Sequence, residues 1–416
     1  MPKIFVIGTG NVGGVGLHKM AQQPDIFEEI YVLSRTLQKS GIVKDSIAKK
    51  TKGKVRLNLI SGDAGNGKAL LALFKKIKPD LLVHWGHPYD NLVVMDACLK
   101  YGVNYIDTAC YEDPKKYGFS HKRQWAKDKD FKEKGLLALL GAGFDPGVTN
   151  VFSAYGRDYL FDEVHEIDIL DCNGGSKDKK IKFAPNFDPE INLRELILPV
   201  KFWKDGQWKE KGRLIDEEAV NFDFDFPEAG VFSPYLMYHE EMESIVRRMP
   251  HLKRIRFWMT FSETYLWYLR VLYNVGLIRI DPVKYDGALV VPVKFLKQLL
   301  PKGKDFNKSY KGKTCIGNIM TGIKDGKKKT LFIYNVCDHQ AAFRETGGNA
   351  IGYTTAIPTV TAAKLVLEGK WSGAGVRNME DRCFDSKIFL DEMPKTGLDW
   401  QIKELNEIPD ALKKNY

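Results

Sequence analysis

Lys3-Ile-Phe-Val-Ile-Gly8-Thr-Gly10-Asn11-Val12-Gly13 decides the fold of this 416-residue chain. A short apolar, β-branched run reads as a buried strand, and a helical pattern from Asn11 to about Gln22 starts inside the glycine run. Gly8 permits a tight turn, Gly10 lets the backbone approach a pyrophosphate, and Gly13 lets the helix lie close on the sheet. The helix N-terminus presents free N–H groups and the positive end of its dipole to phosphate. Strand before and helix after agree, so the motif predicts a dinucleotide-binding unit.

Outward from this loop the chain alternates strands and helices. Ile30–Leu33, Val55–Ile60, Asp80–His84, Tyr105–Thr108 and Leu136–Leu140 are short apolar runs separated by helical patterns, as in a parallel sheet buried on both faces. The expectation is an α/β fold: a Rossmann, doubly wound parallel sheet over residues 1–143. Beyond that the rhythm changes. Asp145-Pro146-Gly147 reads as the cap and first turn of a helix reaching about Leu160. Longer strands follow, with Asp205-Gly206 and Asp325-Gly326 as hairpin turns, so residues 144–345 are expected to form an α+β substrate and dimerisation domain on an open, largely antiparallel sheet. An apolar helix over Thr354–Leu367 opens a C-terminal segment, 346–416, expected to pack back on the Rossmann domain. Glu263–Val275, with its Tyr, Trp and Leu residues, reads as a buried core helix with a dimer face as its other use.

Composition narrows the function classes. Hydrophobic residues at 44% and charged residues at 28% are ordinary for a globular protein. The net charge of +10 comes with short, separated lysine runs and no nucleic-acid-binding pattern, so no nucleic-acid partner is expected. No apolar run approaches about 20 residues, and the strand-like start leaves no export signal, so a cytoplasmic protein with no membrane partner is expected. Six scattered cysteines without CxxC spacing read as free thiols, with no metal site.

Cofactor choice is written at the end of the second strand. An NAD enzyme places an acid there for the ribose hydroxyls; this chain has Ser34-Arg35-Thr36, then Lys39 one turn on. A guanidinium flanked by hydroxyls grips a 2′-phosphate that an acid would repel, so NADP(H) is the expected cofactor. Asp63 ends the third strand as a partner for the adenine or ribose edge, and Trp85, Gly86 and Pro88 end the fourth at the crevice.

Further motifs carry a family likeness. Gly143-Phe144-Asp145-Pro146-Gly-Val-Thr-Asn-Val-Phe152, Ile167–Asn173, Asn186–Glu195, Tyr238–Glu241, Tyr334–His339 and Gly352–Thr355 resemble the carboxynorspermidine/carboxyspermidine dehydrogenases, relatives of the saccharopine dehydrogenases. The resemblance runs over almost the whole chain. It implies an oxidoreductase of polyamine biosynthesis: L-aspartate 4-semialdehyde condenses with a diamine, putrescine or 1,3-diaminopropane, and NADPH reduces the imine. It also leads us to expect a homodimer. The sequence departs from the family habit at His84-Trp85-Gly86-His87, at Cys110 and over Gly174–Lys182, which leaves the diamine open. Two alternatives are carried: a saccharopine dehydrogenase joining 2-aminoadipate semialdehyde to glutamate, and a noncatalytic NADP(H) sensor or scaffold.

Imine reduction needs a cofactor platform, a carboxylate anchor, an ammonium seat and proton transfer. Gly143 to Pro146, joining the last Rossmann strand to the next domain, are placed to face the nicotinamide. Arg194 is the first choice for the carboxylate, with Asn173 and Asn192 as polar neighbours, and Arg254 and Arg256 are weaker candidates, since basic residues flanking a strand are usually solvated. Asp171 and Glu240 or Glu241 suit the ammonium, with Cys110 beside them. His239 and His339 are the motif histidines for proton transfer, with Asp171 as a third catalytic candidate, while Cys172 and Cys337 read as inert thiols.

Overall fold

Six parallel strands, β1 (Lys3–Ile7), β2 (Glu29–Ser34), β3 (Arg56–Ser61), β4 (Leu81–His84), β5 (Asn104–Asp107) and β6 (Leu137–Leu140), lie in the spatial order 3-2-1-4-5-6 in the computed structural model. Residues 2–51, 53–178 and 180–414 are described. That order reverses direction between β1 and β4, which opens the ligand crevice at their carboxyl ends. The central strands are buried on both faces, with β4 and β6 covered at every residue, while the edge strand β3 buries only Leu57 fully.

The second sheet has eight strands. Lys313–Lys324 and Lys327–Asp338 pair antiparallel over their full length, and Glu163–Asn173 lies beside the first of them. Arg254–Thr260 pairs parallel with Glu163–Asn173, the one parallel contact in this sheet among the described residues. The two predicted hairpin turns form as read, with φ of 49° and 81° at Asp205-Gly206 and 49° and 72° at Asp325-Gly326. A third, Asp286-Gly287, closes a small exposed hairpin that the sequence reading passed over.

The C-terminal segment divides. Helix Ala350–Leu367 packs on the helix of the glycine loop, α1 (Asn11–Ala21), and Gly375–Asn378 adds a seventh strand beside β6. Its next strand, Gln401–Glu404, leaves the Rossmann sheet and pairs with Lys327–Asp338. Helix Ala350–Leu367 is long and apolar enough to cross a membrane, but 72% of it is buried inside the protein. It is apolar all round because it is covered by α1 on one side and by helix Ser386–Thr396 on another.

Two local expectations change. The helix after β6 begins at Val148, with Gly147 (φ +138°) at its cap and the Asn150 side chain accepting the Gly147 N–H. Asp145 therefore does not cap it; its carboxyl turns into the cleft instead. Helix Glu263–Asn274 buries Leu266 and Leu269 but leaves Trp267 58% exposed, so it is a surface helix and not core.

Candidate active site

Both sheets contribute to one cleft of about 1050 Å³. Its cofactor arm starts at Gly8, whose φ of +99° and whose approach to Trp85, where a Cβ would stand 2.5 Å from the carbonyl oxygen, admit only glycine. Gly10 opens onto space with nothing within 4 Å of a Cβ position, the room a pyrophosphate needs. The first turn of α1 carries no acidic residue, so its N–H groups keep their affinity for phosphate. The Asn11 amide is committed elsewhere: Nδ2 donates to Asn349 at 2.8 Å and Oδ1 accepts from Asn307 at 3.2 Å. Asn11 thus offers its backbone, together with Val12, to the cleft.

At the end of β2, Ser34 Oγ lies 3.2 Å from Thr9 Oγ1, and Arg35, Thr36 and Lys39 line the cleft with exposed side chains and no acid beside them in sequence. Asp63 also lines it, one oxygen accepting the Gly65 N–H at 3.0 Å. Trp85, Gly86 and Pro88 form the wall from β4. The Trp85 indole covers Gly16, where a Cβ would fall 2.2 Å from the ring, and donates to Thr359 at 3.2 Å.

The other arm is acidic. Asp171 and Asn173 stand on one face of strand Glu163–Asn173, two residues apart. Helix Pro189–Leu196, capped by Asp188, presents Asn192 and Glu195 three residues apart on the cleft side. His239, stacked on Phe257 at 4.3 Å, has Nδ1 against Glu241 and 3.5 Å from Glu240, and Nε2 3.4 Å from Glu195. Burial alone would lower the imidazole pKa, but the Glu241 and Glu240 carboxylates reverse that and hold it well above the ordinary value. His239 is an imidazolium at neutral pH.

The surrounding acids are pushed upward, chiefly by burial: Asp171 to about 6, Glu195 to about 8 and Glu112 to about 8. Asp145 rises well above the carboxylate range, through burial and then the charge of Asp171 beside it. Asp145 Oδ2 and Glu195 Oε1 are buried without a hydrogen-bond partner. An acidic pocket of this kind suits a cationic ligand.

Residues 4–139 match the saccharopine dehydrogenase NADP-binding domain, and residues 143–398 match the saccharopine dehydrogenase C-terminal domain. The chain belongs to the saccharopine dehydrogenase family. Relatives include a carboxyaminopropylagmatine dehydrogenase of Synechocystis sp., 45% identical over 96% of this chain and 97% of its own. Carboxynorspermidine synthases of Vibrio alginolyticus and Vibrio cholerae are each 40% identical over 97% of both chains. The saccharopine dehydrogenase (L-Glu forming) of Saccharomyces cerevisiae superposes with a TM-score of 0.71 at 15% identity, over 97% of this chain and 100% of that one, and so shares the fold. This saccharopine dehydrogenase-like protein is an oxidoreductase, and its cofactor is NADP(H).

Within this family member several sequence-predicted residues do not reach the cleft. Arg194 is 2% exposed, and its guanidinium donates to the carbonyls of Asp113 (2.7 Å) and Lys116 (2.6 Å) and to Tyr89 Oη (2.8 Å), with Glu112 3.6 Å from Nε. It fastens the 113–116 loop and is not a carboxylate anchor. Arg254 and Arg256, expected solvated, are buried and clamp Asp168 on the sheet face opposite Asp171. His339 lies beneath Tyr310, stacked at 3.9 Å. Its Nδ1 accepts the Ala350 N–H and its Nε2 donates to Asn173, while burial lowers its pKa to about 4. Neutral and fully committed, it positions Asn173 and performs no proton transfer.

Gly13 and Gly143 serve packing: a Cβ on Gly13 would lie 2.3 Å from the Gly8 carbonyl oxygen, and Gly143 donates to the Pro146 carbonyl at 2.9 Å. Phe144 packs edge-on against Phe152 in the core, so Asp145 and Pro146 alone of that loop line the cleft. Cys110 lines it with a thiol pushed up by burial, and its N–H holds Glu240 at 3.3 Å. Asn192 accepts from Tyr265 Oη at 2.6 Å. Glu112 and Tyr265 carry no sequence signal of a site, and Glu195 is marked only as the last residue of the Asn186–Glu195 motif; their convergence on the cleft reveals them.

Proposed function

We propose that this protein catalyses the NADPH-dependent reductive condensation of L-aspartate 4-semialdehyde with a diamine in polyamine biosynthesis, as a cytoplasmic homodimer. The carrying observation is the set Asp145, Asp171, Glu195 and Glu240 around one cleft, acids that outnumber His239, the one cation set among them. Such a pocket takes an alkyl ammonium and repels the second carboxylate that a glutamate-joining enzyme must bind. The names of the nearly full-length relatives support the same chemistry.

The Asp145–Asp171 pair takes the proton from the attacking ammonium, since one of two facing carboxyls stays protonated and the other is a base with a pKa near 6. The free amine adds to the aldehyde carbon. His239 gives its proton to the carbinolamine oxygen, which leaves as water. Glu195 and Glu240 hold the distal ammonium of the diamine. NADPH, when bound, supplies the hydride.

Self-association is supported by the exposed large apolar side chains of the 267–299 stretch: Trp267 (58% exposed), Tyr285 (73%), Leu289 (73%), Phe295 (53%) and Leu299 (67%). The test is NADPH oxidation with the semialdehyde and putrescine, 1,3-diaminopropane, agmatine or glutamate in turn. Turnover with glutamate alone overturns the reading. Light scattering on the wild type and on Leu289→Glu reads the dimer, and a monomeric wild type rejects it.

A further inference from the structure

The acidic cleft contains one largely enclosed ammonium that pairs with no carboxylate among the described residues. Lys177 Nζ donates to the Ala184 carbonyl at 2.5 Å and to Asn186 Oδ1 at 2.6 Å, and stands over the rings of Phe306 (4.9 Å) and Tyr310 (5.4 Å). An ammonium has three hydrogens, so one donor remains. Both acceptors are neutral, and burial pushes the group down to about 8. A desolvated charge held only by neutral groups is stabilised by an anionic ligand.

The other cations along the cleft are accounted for. Lys297 pairs with Asp188 and Glu190, Arg35 and Lys39 sit at the end of β2, and Lys182 and Lys302 are exposed. Lys177 is also tied to the reacting end. Tyr310 Oη accepts from Asn173 at 2.7 Å and donates to Asn186 at 3.1 Å, the same oxygen that receives Lys177. Asn173 follows Asp171 by two strand positions, about 7 Å.

We propose that Lys177 seats the carboxylate of the aldehyde substrate, the role that Arg194 cannot fill. The cleft is then polar in the sense of its product, with a cation for the amino-acid end and carboxylates for the amine end. The assignment rests on the reading that the aldehyde is an amino-acid semialdehyde.

The probe is L-homoserine, the unreactive alcohol of that semialdehyde, titrated into the enzyme–NADP complex. Wild type is expected to bind it, Lys177→Met to bind it about tenfold to a hundredfold more weakly, and Lys177→Arg to retain part of the affinity. In turnover, Lys177→Met raises KM for aspartate semialdehyde by the same factor and leaves KM for the amine unchanged. With 3-aminopropanal, which has no carboxylate, wild type and Lys177→Met react alike. Equal homoserine binding by both proteins, no binding by wild type, or loss of NADPH affinity in Lys177→Met overturns the proposal. If wild type binds homoserine through Lys177 yet oxidises no NADPH with any amine, the carboxylate seat stands and the reaction assignment fails.

Discussion

Asp145 and Asp171 meet side chain to side chain in the cleft, one from the loop after β6 and the other from the strand Glu163–Asn173, and burial holds both carboxyls above the ordinary carboxylate range. Neither carboxyl can ionise freely beside the other in a buried site, so the pair has a proton acceptor near pH 6 and a held proton above it. Its function depends on the two sheets coming together.

From this pair follows a pH profile. kcat/KM for the diamine should fall on the acidic side with an apparent pKa near 6. Asp171→Asn should remove that limb and lower kcat about a hundredfold, the lower range of general-base contributions. An unaltered acidic limb in the variant assigns the base elsewhere.

Glu195 should trade stability for binding. Its carboxyl titrates at about 4.5 unfolded and about 8 folded, so between these values the folded state holds a proton that the unfolded state has released. Stability contributed by that group is therefore greatest below pH 4.5 and is lost as pH rises toward 8. Glu195→Gln should raise Tm over wild type by more at pH 8.5 than at pH 5, while raising KM for the diamine. Thermal melts at the two pH values check the sign.

We propose Arg35 as the contact for the 2′-phosphate. Arg35→Ala should weaken NADPH binding about tenfold to a hundredfold, the loss of one charge-assisted bidentate contact, and leave NADH affinity unchanged. Fluorescence titration with both cofactors reads the difference, and a parallel loss for NADH rejects the role.

Gly16 lies under the Trp85 ring, so Gly16→Ala should destabilise by about 1–3 kcal/mol although alanine favours a helix. Trp85→Ala should relieve the clash, and the double-mutant cycle in urea should show coupling.

Arg194 should behave as a structural residue. Arg194→Met strands the loop carbonyls of Asp113 and Lys116 and leaves Glu112 without its cation. The expected cost is about 3–5 kcal/mol, read as a lower midpoint in chemical denaturation. Homoserine affinity is unaffected at temperatures where the variant is folded.

Local signals in the sequence determined the nucleotide half of this protein. Gly8, Gly10 and the residues Ser34 to Thr36 act through backbone room, a helix terminus and a strand end, all properties of short segments. The hairpin turns at Asp205 and Asp325 were equally readable, since left-handed φ is a local demand. Motif likeness pointed to Asp171, Asn173, Asn192, His239 and Glu240, which the fold does bring to one cleft.

What tertiary structure alone decided is the state and direction of each polar group. Arg194 and Lys177 are both cations near the same helix and loop in sequence. Packing spends one on backbone carbonyls and leaves the other a donor facing the cleft. His239 and His339 are both motif histidines; the Glu241 and Glu240 carboxylates favour the imidazolium in the first, while burial and two committed nitrogens keep the second neutral. Protonation and desolvation depend on neighbours brought from distant positions, and residue type and spacing do not carry that information.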